Sequence, residues 1–135
     1  MSFRPDAIGA AARPTGVVDY RLARNSVVKE FKRGRLTRLD VCDAQPELLR
    51  NAEHCGRPAP EPCPICEAAM VLVTYVFGSR LPANGRCITK MAEMTRFERA
   101  AEERAAYVVE VCGECSWNHL VRCFPVGGHG RRRSS

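Results

Sequence analysis

Four of the eight cysteines fall in two matching spacings, Cys63-Pro64-Ile65-Cys66 and Cys112-Gly113-Glu114-Cys115. Two intervening residues let a backbone curl until both sulfurs face one ion. Two such knuckles supply four thiolates, the closed tetrahedral shell of a structural zinc site. Pro64 pre-sets a turn dihedral in the first knuckle, and Gly113 permits an unusual one in the second. The spacing therefore predicts one structural Zn2+ per chain, held by Cys63, Cys66, Cys112 and Cys115. A rubredoxin-like iron centre uses similar knuckles and is the first rival. A dithiol redox site is the second, weakened because no β-α-β pattern follows either pair. Zinc has no redox chemistry, and four protein thiolates leave no position for water or substrate, which points to a binding protein and not an enzyme. Two features depart from the usual pattern. The pairs are separated by 45 residues, where the compact spacing is ~15–20. Glu67 and Ser116 also stand where a glycine often follows the second cysteine.

The other cysteines, Cys42, Cys55, Cys87 and Cys123, read as small buried hydrophobes or reduced thiols. Cys42, His54 and Cys55 offer a second metal site only if a fourth ligand is found. His119 reads as a strand surface residue, and His129 belongs to the tail. Trp117 stacks on a base, inserts into a protein pocket, or packs over the metal site. The three histidines are scattered with no nucleophile beside them, and no glycine-rich phosphate loop is present. The N-terminus lacks the apolar stretch of a secretory signal, and no apolar run reaches the ~18 residues of a membrane span. A cytoplasmic protein whose thiols stay reduced is the expectation, with no membrane partner and no small-molecule substrate.

Positioning the knuckles requires flanking strands. Residues 70–77 are rich in β-branched and aromatic side chains and predict one strand; residues 106–111 and 117–126 predict two more. Thr89 to about Arg104 reads as a charged amphipathic helix inserted between them, which accounts for the long gap. Upstream, Val17, Tyr20, Val27, Val28 and Phe31 form an apolar stripe over residues 17–33, with Arg24 intruding and Gly34 placed to stop the helix. Thr37 and Asp40 form an approximate capping box for a short helix, and Pro46 opens another that ends near Cys55, with Gly56 able to stop it in the left-handed conformation. The expected class is α+β: an N-terminal three-helix unit plus a three-stranded antiparallel zinc ribbon with an inserted helix. In residues, this means a flexible lead-in over 1–16, the helical unit over 17–56, a Pro-rich connector over 57–62, the ribbon over 63–126 with its helix near 89–104, and a disordered Arg-rich tail over 127–135.

The net charge of +6 is unevenly placed. Its excess lies in residues 13–38 and in Arg131, Arg132 and Arg133, while the cysteine-bearing part is slightly acidic. Arg21, Arg24, Lys29, Lys32, Arg33, Arg35 and Arg38 are the candidate nucleic-acid contacts, set against the plainer reading of a solvated helix face. Residues 37–55 also match a helix-turn-helix loosely, with Arg50 and Asn51 on the exposed side of the last helix and an acidic surface that argues against it. Two functions follow. One is a nucleic-acid or nucleoprotein-associated regulatory factor built round structural zinc. The other is a protein-protein adaptor that binds transcription or translation machinery without touching nucleic acid.

Three stretches carry a resemblance: Val111 to Val121 (VCGECSWNHLV), Val41 to Arg50 (VCDAQPELLR), and Cys63-Pro64-Ile65-Cys66. Together they resemble a small actinobacterial zinc-ribbon-like family of unknown function, over most of residues 17–124. The resemblance implies a bacterial cytoplasmic protein and leaves the activity open.

Overall fold

The computed structural model describes Phe3 and residues 14–128. Its elements are β1 (Val18–Asp19), α1 (Arg21–Lys32), α2 (Arg38–Val41), α3 (Pro46–Cys55), β2 (Arg57–Pro58), β3 (Val71–Gly78), β4 (Arg86–Cys87), α4 (Met91–Arg99), β5 (Glu103–Val111) and β6 (Asn118–Gly127). The strands form one antiparallel sheet in the order β1-β6-β5-β3-β2, with β4 also on β3.

This corrects the expected class. The helices are not a separate three-helix unit, and the sheet has six strands where a three-stranded ribbon was expected. The reason lies in burial. A helix as short as α3 buries its apolar side on the sheet, while Val41 of α2 packs with Val28 of α1 beside the knuckle cysteines. Leu48 and Ala52 of α3 pack on the face made by Val73, Tyr75, Phe77, Tyr107 and Val109. On the other face, Met94 of α4 joins Val76, Ala106 and Val126 at one end. Val28 of α1 joins Met70 and Trp117 at the other. With both faces covered, Arg104 to Val111 of β5 are all buried, which explains a near-continuous apolar run without alternation.

Three local differences have physical causes. The first helix begins at Arg21 instead of residue 17, because Val18 and Asp19 pair with Cys123 and Arg122 at the sheet edge. The Asp19 carboxylate then accepts the Arg21 N–H at 2.8 Å. The inserted helix stops at Arg99, although helix-forming residues continue to Arg104. There the chain is claimed by the sheet, with Glu103 opposite Gly127 and the Arg104 guanidinium on the Ser79 carbonyl and over the Phe97 ring. Gly56 ends α3 at φ −73°, not in the left-handed region. A Cβ there would lie 2.7 Å from Val71 Cγ2, so close approach is what calls for glycine.

The Thr37–Asp40 capping box is present as expected. Of the two side chains expected on the open side of the last helix, Arg50 is exposed, whereas Asn51 donates to the Tyr75 hydroxyl at 2.8 Å and faces the sheet. Most of the expected lead-in and tail falls outside the described residues. Of the tail, Gly127 ends β6 and is buried.

Candidate metal centre

β3 and β5 pair from Val71↔Val111 to Gly78↔Arg104. That register sets the segment before β3 beside the segment after β5, which is where the two Cys-x-x-Cys sequences lie. Each folds into the same turn. Cys63 N–H donates to the Ala68 carbonyl at 2.8 Å, and Glu67 N–H to the Cys63 carbonyl at 2.9 Å. In the second turn Cys112 N–H donates to Trp117 at 2.9 Å, and Ser116 N–H to Cys112 at 3.0 Å. Glu67 and Ser116 adopt φ of 67° and 72°. These are the two positions where the sequence lacks the common glycine, and both carry left-handed strain.

The turns face one another. Sγ of Cys63, Cys66, Cys112 and Cys115 all lie within 4.8 Å of each other. Cys63 and Cys115 sulfurs are 3.6 Å apart, and those of Cys66 and Cys112 are 3.5 Å apart. A tetrahedral ion with metal–sulfur bonds of ~2.3 Å sets its sulfurs about 3.8 Å apart, so the cage can hold a metal ion. Cys63 and Cys112 are buried, while Cys66 and Cys115 are half-buried. Burial pushes the Cys63 thiol up to about 11 and the Cys115 thiol up to about 12. Cys66 moves the other way, first because the Ala68 N–H bonds to it. Ile65 N–H donates to Cys63 Sγ at 3.4 Å. A cation entering the cage must displace thiol protons, so its affinity depends on pH.

The surroundings tie the cage to the helices. Val28 and Val41 share its apolar cluster, with Phe31, Leu36 and Cys42 packed against it. Trp117 is buried in the same cluster, so it packs beside the centre and offers no face to a base. Its indole N–H donates to Glu110 Oε2 at 2.6 Å, and the same oxygen accepts from Arg24 Nε at 2.9 Å. Arg24 lies on the apolar stripe of α1 for this reason. The signals were present in the sequence as an arginine on a helix stripe and a glutamate inside an apolar strand. His119 is half-buried and stacks on Trp117 at 6.0 Å between ring centres.

The remaining candidates separate. Arg21, Lys29, Lys32, Arg33, Arg35 and Arg38 are exposed, and Arg35 makes an exposed ion pair with Glu30 at 3.4 Å. Arg24 is spent on Glu110 and does not join that surface. Cys42, His54 and Cys55 do not gather. Cys42 instead touches Cys115, with Sγ–Sγ 3.5 Å, a contact that nothing in the spacing announced. Cys55 hydrogen-bonds to Cys87, a free thiol pushed up by burial first and then by that neighbour. No helix among the described residues is long and apolar enough to cross a membrane.

A family model described as a family of unknown function, DUF5318, matches residues 12–135. The chain belongs to that family. Proteins similar to it include uncharacterized proteins of Mycobacterium bovis and Mycobacterium tuberculosis, each 41% identical over 111 residues, covering 82% of this chain and 81% of the relative. The expected resemblance to an actinobacterial family of unknown function holds. No solved structure matches the chain.

Proposed function

We propose that the protein is a structural-zinc-binding factor of the cytoplasm that acts on nucleic acid or a nucleoprotein complex, and not an enzyme. The observation that carries the metal half is the gathering of four thiols within 4.8 Å on two turns of matching hydrogen-bond pattern. Thiolate donors in a four-fold cage favour Zn2+, and a filled cage has no position for a substrate. The ion would stitch the start of β3 to the end of β5 and hold the apolar side of α1 and α2 against that junction. With the stripe held down, the outer side of α1–α2 turns Arg21, Lys29, Lys32, Arg33, Arg35 and Arg38 to solvent. Such a surface suits phosphates, whose neutralisation releases counterions.

A second reading is the adaptor. It is favoured by Met91, 64% exposed on α4, and by Leu22 and Leu39, more than 80% exposed among the basic residues. Apolar residues on a free face suit a protein partner more than a phosphate backbone. A salt titration separates the two. Duplex DNA and single-stranded RNA binding should weaken steeply with salt, and Lys32→Ala/Arg33→Ala/Arg35→Ala should flatten the slope by about one unit per lost contact. Absence of binding by the wild type at low salt overturns the nucleic-acid reading in favour of the adaptor.

A further inference from the structure

The cage has four thiols, but the site has five. Cys42 closes α2, and its Sγ lies 3.5 Å from Cys115 Sγ. That is as short as the contacts among the cage thiols themselves, 3.5 and 3.6 Å. Cys42 nevertheless stands outside the group in which every sulfur is within 4.8 Å of every other. A tetrahedral ion leaves it unused, as a thiol in contact with one ligand only. The contact is also placed where solvent reaches. Cys63 is 1% exposed and Cys112 is 0% exposed, whereas Cys115 and Cys42 are both half-buried. Cys66 is half-buried too, but among the described residues the cysteines its sulfur hydrogen-bonds with all belong to the cage.

We propose that Cys42 makes the centre redox-responsive: a hydroperoxide oxidises Cys115, Cys42 resolves it as a Cys42–Cys115 disulfide, and the metal is released. The inference rests on the reading of the four cysteines as metal ligands. The steps balance as follows. The Cys115 sulfur, a thiolate in the loaded cage, attacks the outer oxygen of the hydroperoxide; the O–O bond breaks, and the alkoxide leaves and takes a proton from water as the alcohol. Cys115 is then a sulfenic acid. The Cys42 sulfur attacks it, the S–O bond breaks, the S–S bond forms, and hydroxide leaves with the Cys42 proton as water. In sum, one metal-bound thiolate, one thiol, one hydroperoxide and one proton from water give one disulfide, one alcohol and one water. Cys115 no longer offers a thiolate, and a three-thiolate cage holds the ion less tightly. Because Val41 and Cys42 sit in the cluster that anchors α1, the event is transmitted to the basic helix.

The experiment treats metal-loaded full-length protein and its Cys42→Ser variant with hydrogen peroxide. Released metal is followed with a chromogenic chelator, and disulfides are mapped by mass spectrometry. Metal content is measured first, so an empty protein condemns the metal reading and is not confused with failure of the switch. The expected result is release with a Cys42–Cys115 linkage in the wild type. In Cys42→Ser, Cys115 should accumulate as sulfinic acid, with no disulfide to it and a metal loss that dithiothreitol does not reverse. Cys42→Ala should behave like Cys42→Ser, and dithiothreitol with added zinc should restore only the wild type. Full recovery of metal binding by the variants on reduction, a disulfide confined to Cys63, Cys66, Cys112 and Cys115, or no reaction at peroxide levels that oxidise a free-thiol control, would each overturn the proposal.

Discussion

Replacing Glu110 by Gln probes the polar link between α1 and the sheet without changing side-chain volume. Glu110 Oε2 accepts from Arg24 Nε at 2.9 Å and from the Trp117 indole at 2.6 Å. The Glu110 and Arg24 side chains are 10% and 14% exposed, so water replaces little of what is lost. A hydrogen bond to a charged group contributes about 1.5–3 kcal/mol, and removing one partner of a buried pair costs about 3–5 kcal/mol. The amide keeps one acceptor for the indole but leaves the Arg24 guanidinium without its counter-charge. We expect a loss of about 3 kcal/mol, or roughly 10 °C in Tm for a chain of this size. Trp117 is the sole tryptophan, so its fluorescence reports the unfolding of this region directly. Denaturant titrations of E110Q, R24M and the double variant give the coupling energy. A value under about 0.5 kcal/mol, as exposed ion pairs give, would refute the claim that this pair is a buried fastener.

Further outcomes follow from other sites. Cys63→Ser, Cys66→Ser, Cys112→Ser and Cys115→Ser should each lose the metal and unfold at lower denaturant than Cys123→Ser; equal metal loss in all five would refute the ligand set. Ser116→Gly and Glu67→Gly should stabilise the folded chain by a few tenths to about 1 kcal/mol, because both residues sit at positive φ; thermal melts that move down would contradict the strain. Gly127→Ala should cost roughly 2 kcal/mol or more, since φ is +78° and a Cβ would stand 2.4 Å from the Glu102 carbonyl oxygen and 2.9 Å from that of Phe97; an unchanged Tm would refute it. Glu93 is held down to about 2 by the Thr89 hydroxyl first, then the Thr89 N–H and Arg86. A depressed carboxylate contributes stability that is present above its ordinary 4.5 and lost as pH falls toward 2. Glu93→Gln should therefore weaken the fold at neutral pH and flatten its acid unfolding over that window; an unchanged acid limb would contradict the assignment.

What the sequence made legible was local. The knuckle cysteines, the Thr37 cap, α3 and the three long strands follow from spacing and residue type, because each depends on neighbours within a few positions. Assembly was not legible. Val18 and Arg57 belong to edge strands of two residues, too short to show a period, and they join the sheet only because partners at Cys123 and Leu72 lie opposite. The helices were read as one unit, when α3 and α4 cover opposite sides of a sheet and α1 and α2 pack together at its cysteine-bearing end. Arg24 looked like a surface cation because its partner is 86 residues away. Cys42 looked inert for the same reason, its neighbour being 73 residues distant. Long-range pairing of polar groups leaves no trace in periodicity.

The centre itself is tested most directly by the metal content of freshly purified protein, measured by inductively coupled plasma mass spectrometry against an amino-acid-analysis concentration, and repeated over a pH series with a weak chelator. Thiols pushed up to about 11 and about 12 hold their protons more firmly than ordinary cysteines, so binding gains with pH and is lost on acidification. The account predicts a colourless protein with one zinc per chain, retained at neutral and alkaline pH and released as pH falls. A red, iron-loaded protein would contradict the zinc assignment, and a folded protein that binds no metal with all four cage thiols reduced would contradict the centre.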